Sequence, residues 1–141
     1  LFDLRDDAPG KGVKLMADYD EAFWKSVDNN RMEIPFCRSC DEFFFYPRPF
    51  CPNCWSKDIE RRPISGKGSV WSYSIVHFPH GPNEGWKSRV PYIVALVTLA
   101  ENVRLMSNIV DCAIDDVRTG MDVEVSYRPF DGRTLPTFIP V

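Results

Sequence analysis

Four cysteines, Cys37, Cys40, Cys51 and Cys54, stand in the pattern C-x2-C-x10-C-x2-C. Paired C-x2-C turns have the spacing of a tetrathiolate metal site, because each turn brings its two sulfurs onto one side of an ion. The ten residues between the turns suffice for a hairpin. Four thiolates leave no open position for a substrate, so the pattern predicts a structural ion. Zinc is the default, and a tetrahedral sulfur cage also suits a rubredoxin-type iron. The spacing and the lack of an export-signal pattern both disfavour a secreted disulfide framework. Such turns often carry a glycine after the second cysteine, where left-handed backbone helps. Here those places hold Asp41 and Trp55. Asp tolerates that conformation passably and Trp poorly.

The remaining chain is long enough for one real core. Its 141 residues are 44% hydrophobic and 26% charged, which excludes a disordered chain. No apolar run approaches the roughly 20 residues that span a bilayer; the longest candidate, Tyr92 to Ala100, is strand-sized. The net charge of -3 argues against a chain living on nucleic acid. Residue 1 is Leu, which predicts a trimmed product or the tail of a longer protein. A cytoplasmic location is expected, with no membrane partner.

Hydrophobic periodicity divides the chain. Residues 1–17 read as a linker or arm. Residues 18–31 read as an amphipathic helix: Asp18 or Asp20 caps it, Tyr19, Phe23 and Val27 share a face, and Asn29-Asn30 end it. Aromatics crowd the metal segment, Phe36, Phe43, Phe44, Phe45, Tyr46 and Phe50 among them. Beyond it, Ser65-Gly66-Lys67-Gly68 signals a turn or bulge. Strands are predicted at Val70–Phe78, Tyr92–Leu99, Val103–Val110, Met121–Arg128 and Thr137–Pro140. The continuous apolar run Tyr92–Leu99 is expected to be buried on both faces, residues 78–90 to form a loop, and Ala113–Thr119 to form one helical turn. Five short strands with a brief helical insertion suggest a small closed or partly open barrel.

Catalytic machinery is sparse. There is no G-x-S-x-G, no phosphate-binding loop, no G-x-G-x-x-G and no H-E-x-x-H. His77 and His80 are expected at the surface or against a partner. Cys112 is expected to be a small buried hydrophobe. No residue is assigned a catalytic role, so the chain either is not an enzyme or completes another subunit's site.

The order of motifs resembles a known family. A helix with Phe23-Trp24 precedes the cysteine ribbon, which carries Tyr46-Pro47-Arg48 before its second turn. Ser65-Gly66-Lys67-Gly68 then leads into Val70-Trp71-Ser72-Tyr73, followed by Pro91 to Val97, Val103 to Ser107 and Gly120 to Val125. This is similar to the small proteins that join a rubredoxin-like zinc ribbon to an OB-fold, over residues 18–141. The resemblance implies a mainly β chain: an N-terminal arm and helix (1–33), a zinc ribbon (34–62) and a five-stranded OB-fold barrel (63–141). It also implies an accessory subunit that binds a thiolase-like enzyme, such as an acyl-CoA retro-aldolase, acyltransferase or condensing enzyme, including enzymes of steroid side-chain degradation. Association or fusion with a hotdog-fold enoyl-CoA hydratase belongs to the same expectation. One structural zinc and a CoA thioester shared with the partner follow.

Contact residues expected for the partner or CoA are Phe44, Tyr46, Tyr73, His77, Trp86, Lys87 and Arg89. Trp86, Phe78 and Phe130 are expected to expose apolar surface. Two rival readings attach to the same pattern. One is single-stranded nucleic-acid binding on Trp71, Tyr73 and Phe78, weakened by the scatter of Lys67, Lys87, Arg89 and Arg104. The other is an iron-containing electron carrier, in which the large barrel would have no role.

Overall fold

A computed structural model describes residues 11–78 and 84–141. Helix α1 (Lys11–Asp28) opens the described chain. It begins seven residues before the expected start. Asp18 and Asp20 therefore lie inside the helix and do not cap it. Its end is as expected: Asn30 takes a left-handed φ of 55°, and the N–H groups of Asn30 and Arg31 close on the carbonyls of Val27 and Ser26. Phe23 and Val27 are buried, one turn apart on one face.

The ribbon is a three-stranded antiparallel sheet in the order β2-β1-β3, with β1 (Glu33–Cys37), β2 (Glu42–Phe43) and β3 (Ile59–Pro63). Strand β3, Ile-Glu-Arg-Arg-Pro, has no apolar alternation and escaped the periodicity reading. It forms because β1 offers an edge: all five of its residues pair with β1. Arg62 lies over the Phe36 ring at 3.5 Å, and ion pairs link Arg38 to Asp58 and Arg62 to Glu60 across the exposed face.

The five predicted strands close into a barrel in the order β4-β5-β6-β8-β7. They are β4 (Lys67–Val76), β5 (Tyr92–Leu99), β6 (Arg104–Ile109), β7 (Asp122–Phe130) and β8 (Arg133–Pro140). The parallel contact of β6 with β8, Ile109 against Phe138, completes the ring. Two expectations change. Strand β5 buries Ile93, Ala95, Val97 and Leu99, while Tyr92, Val94, Leu96 and Thr98 are only half-buried. A barrel wall has one packed face; the other is covered among the described residues only in part, as where Trp86 meets Tyr92. Residues 113–119 form a hydrogen-bonded turn, Asp116 N–H to Ala113 C=O at 3.0 Å, with Val117 plugged into the core. The connection from β4 to β5 holds a short helix, α2 (Glu84–Lys87).

One core joins these parts. Phe23 and Val27 of α1, with Met32 and Ile34, pack into the same cluster as Val70, Val97, Val123 and Phe138 of the barrel. The Met32 N–H donates to the Tyr127 hydroxyl at 2.7 Å, and the Ile64 N–H to the Met32 carbonyl at 3.1 Å.

The glycine signal before β4 has a steric meaning. Gly66 has φ 83°, a conformation that a side chain opposes. A Cβ on Gly68 would lie 2.8 Å from the Thr98 carbonyl oxygen and 2.9 Å from Val97 Cγ1. That carbonyl belongs to the neighbouring strand and cannot step aside. Gly68→Ala is therefore expected to cost about 1–3 kcal/mol, read as a lower denaturation midpoint with an unchanged slope.

Candidate metal centre and surrounding surface

The four cysteine sulfurs lie within 4.8 Å of one another. Cys37 and Cys51 are fully buried, Cys40 is half-buried and Cys54 exposed. Cys37 Sγ lies 3.6 Å from Cys54 Sγ, and Cys40 Sγ 3.7 Å from Cys51 Sγ. These separations are far beyond the roughly 2.05 Å of a disulfide bond. They suit a tetrahedron around an ion with metal–sulfur bonds of about 2.3 Å, whose edges measure about 3.8 Å. All five cysteines are free thiols.

Local chemistry fits a divalent cation. Burial pushes the Cys37 thiol up, but the N–H groups of Cys40 and Ser39 and the neighbouring thiols outweigh it and bring it down to about 7. Burial, with Cys37, Cys51 and Cys54 crowded beside it, pushes Cys40 up to about 12. Four negative sulfurs cannot share this volume unless a cation neutralises them. The Asn53 N–H, 3.4 Å from Cys51 Sγ, is placed to support one thiolate. The backbone meets the left-handed requirement at both turns without glycine: Asp41 has φ 56° and Trp55 φ 63°.

The other expected site residues do not form one cluster with the cysteines. Phe44 is a correction: it is 6% exposed and packs with Cys37 and Cys51, so its ring fills the ribbon's small core and presents no surface. Tyr46 is partly exposed, and its hydroxyl bonds the Asp20 carboxylate of α1, which raises its pKa. Tyr73 on β4 and His77 are exposed. His80 lies outside the described residues.

At one end of the barrel, Trp86 of α2 packs on Tyr92 and Phe130 with ring centroids 4.8 and 4.5 Å away. Arg89 lies over Phe130, and Lys87 pairs with Glu84. Phe130 is a second correction: covered by Trp86 and Arg89, it is 8% exposed. Trp86 itself is half-buried. Beside it lies a cavity of about 280 Å³, lined by Trp86, Tyr92, Ile109, Cys112 and Phe130 among others. The Cys112 thiol there is raised by burial and by Asp116, the opposite of an activated nucleophile. Elsewhere Trp71 stacks under Arg104 at 4.1 Å. Phe78 is 80% exposed.

Periodicity gave no weight to Trp55. It is 71% exposed and stacks on Phe50 with centroids 4.9 Å apart and planes 9° from parallel. Its signal was the bulky residue at a position favouring glycine.

Comparison with known proteins accounts for this architecture. Residues 24–60 match the family described as "ChsH2, rubredoxin-like zinc ribbon domain". Residues 61–128 match "ChsH2, C-terminal OB-fold domain". A probable enoyl-CoA hydratase alpha subunit of Thermomonospora curvata is 37% identical over 123 residues, covering 86% of this chain and 37% of that protein. A DUF35 domain-containing scaffold protein of Methanothermobacter thermautotrophicus is 40% identical over 93 residues, covering 65% of this chain and 68% of the relative. The benzoylsuccinyl-CoA thiolase subunit BbsA of Geobacter metallireducens is 32% identical over 93 residues, 66% of this chain and 59% of BbsA. The chain thus spans little more than a third of the hydratase subunit's length. Among solved structures, the Ltp2-ChsH2(DUF35) aldolase superimposes with a TM-score of 0.77 at 32% identity, covering 95% of this chain and 98% of that one.

Proposed function

Because the chain belongs to the ChsH2/DUF35 family of zinc-ribbon and OB-fold proteins, we propose that it is an accessory subunit or domain of an acyl-CoA enzyme. It binds a thiolase-like enzyme and helps to enclose the CoA thioester, while the partner supplies the chemistry. The observation that carries this reading is the match, over nearly the whole of both chains, to a chain of the Ltp2-ChsH2(DUF35) aldolase. The thiolase subunit among the relatives supports the same class of partner. The hydratase alpha subunit, much longer than this chain, supports fusion to or association with an enoyl-CoA hydratase. Nucleic-acid binding gains no support from these relatives.

The residues present fit this role. Zinc is the ion for the four cysteines, held as a closed structural centre with no catalytic duty. Tyr46, Tyr73, His77, Trp86, Lys87 and Arg89 remain candidates for the contact with partner or CoA. Burial and Asp116 raise the Cys112 thiol, the opposite of what an activated nucleophile needs.

Co-expression with a thiolase-like enzyme from a neighbouring reading frame tests the proposal. The two are expected to co-elute on size exclusion. The enzyme is expected to lose at least tenfold in acyl-CoA turnover without this chain, and this chain alone should turn over none. Separate elution with unchanged partner activity would refute it.

A further inference from the structure

Trp55 sits in a place that its own backbone does not favour. Its φ of 63° is left-handed, a conformation that any Cβ opposes and a bulky side chain opposes most. The backbone duty there, donating the Trp55 N–H to the Cys51 carbonyl at 2.9 Å, is one that glycine performs without strain. The indole adds nothing to the ribbon's core, which consists of Cys37, Phe44 and Cys51 with Cys40 and Ile59 against them. It stands 71% exposed, flat against Phe50. A strained position holding a large exposed aromatic points to a use outside the fold.

The surrounding charge indicates what kind of surface it meets. Arg38 and Arg62 are neutralised by Asp58 and Glu60. Arg48, two residues before Phe50, and Lys57, two residues after Trp55, make no ion pair among the described residues; neither does Arg61. All three line a cleft of about 450 Å³ between α1 and the ribbon, with Pro47 and Pro49; the two carboxylates in its wall, Glu33 and Glu60, are already paired with Arg31, Arg38 and Arg62. In a chain of net charge -3, Arg48 and Lys57 thus stand without an ion pair among the described residues, each two residues from a member of the exposed stack.

We propose that the Trp55–Phe50 stack, flanked by Arg48 and Lys57, is the ribbon's docking point for an acidic surface of the partner enzyme. That surface would carry an indole-sized pocket edged by Asp and Glu. The inference rests on the accessory reading above and names the contact that reading leaves open. Large aromatics supply most of the binding energy at interfaces, and charges beside them steer encounter and fix register.

The test uses the full chain and its thiolase-like partner, with affinity measured at low and high salt and thermal melting measured on the zinc-loaded chain. Trp55→Gly removes the anchor and relieves the left-handed strain together. It is expected to keep one zinc, melt no lower than the unmodified chain and bind the partner at least tenfold more weakly. The double variant Arg48→Glu, Lys57→Glu, altered only at the surface, is expected to bind more weakly and to lose most of the salt dependence. Trp55→Gly that binds as tightly as the unmodified chain overturns this inference alone, as does Trp55→Gly that melts lower, since the indole would then serve the ribbon itself. Failure of the unmodified chain to bind overturns the accessory reading and this inference with it.

Discussion

Cys37→Ser and Cys51→Ser proteins are expected to purify without stoichiometric metal and with the ribbon unfolded. Both cysteines are fully buried, and the cluster around them contains only one large buried side chain, Phe44. So little apolar burial cannot offset the entropy of ordering three strands and two tight turns. The ion must supply the difference, and structural zinc contributes on the order of 10 kcal/mol in small sites. Elemental analysis of the wild-type chain should give one zinc, and near-ultraviolet circular dichroism should show the ribbon aromatics ordered. The serine variants should lose both signals, and chelation of the wild type should do the same. Acidification acts in one direction: protons compete for the thiolates, so metal-dependent stability is present at neutral pH and is lost as pH falls. A metal-free variant with a native aromatic signal would overturn the assignment.

Phe138→Ala is expected to destabilise the barrel by about 3–5 kcal/mol. The side chain is fully buried and lies where β8 meets both neighbours, paired with Val125 of β7 and Ile109 of β6. The β6–β8 contact is the weakest seam of the barrel, a single parallel pair. The Val110 N–H reinforces it by donating to the Phe138 carbonyl at 2.8 Å. A cavity at that point removes packing from both sides of the closure. Domains of this size are stable by only about 5–15 kcal/mol, so the variant should unfold at a much lower denaturant concentration. Replacing the solvent-facing Met106, 70% exposed on the outer face of β6, by Ala should change little. Equal midpoints for the two variants would sink this account of the core.

The cysteine cluster was legible because its members are set by local spacing. Two turns and ten residues between them bring four sulfurs together whatever the rest of the chain does. The five barrel strands were legible for a similar reason: short-range alternation marks a wall strand, as at the start of β7, where Val123 is buried between exposed Asp122 and Glu124, although Val125 to Arg128 are all half-buried. Strand β3 was not, since its charged residues lie in a sheet only through the partner edge that β1 offers.

By itself, the sequence determined the four-cysteine cluster, the left-handed positions after each turn and the number of barrel strands. These depend on backbone geometry and short-range periodicity. Only the tertiary structure decided which aromatics are surface and which are core. Phe44 and Phe130 went inside while Trp55 stayed out, and nothing in their composition distinguishes them. It also decided that α1 and the start of the ribbon share the barrel's core. Burial is set by neighbours far along the chain, such as Tyr127 against Met32, and those neighbours exist only once the barrel has closed.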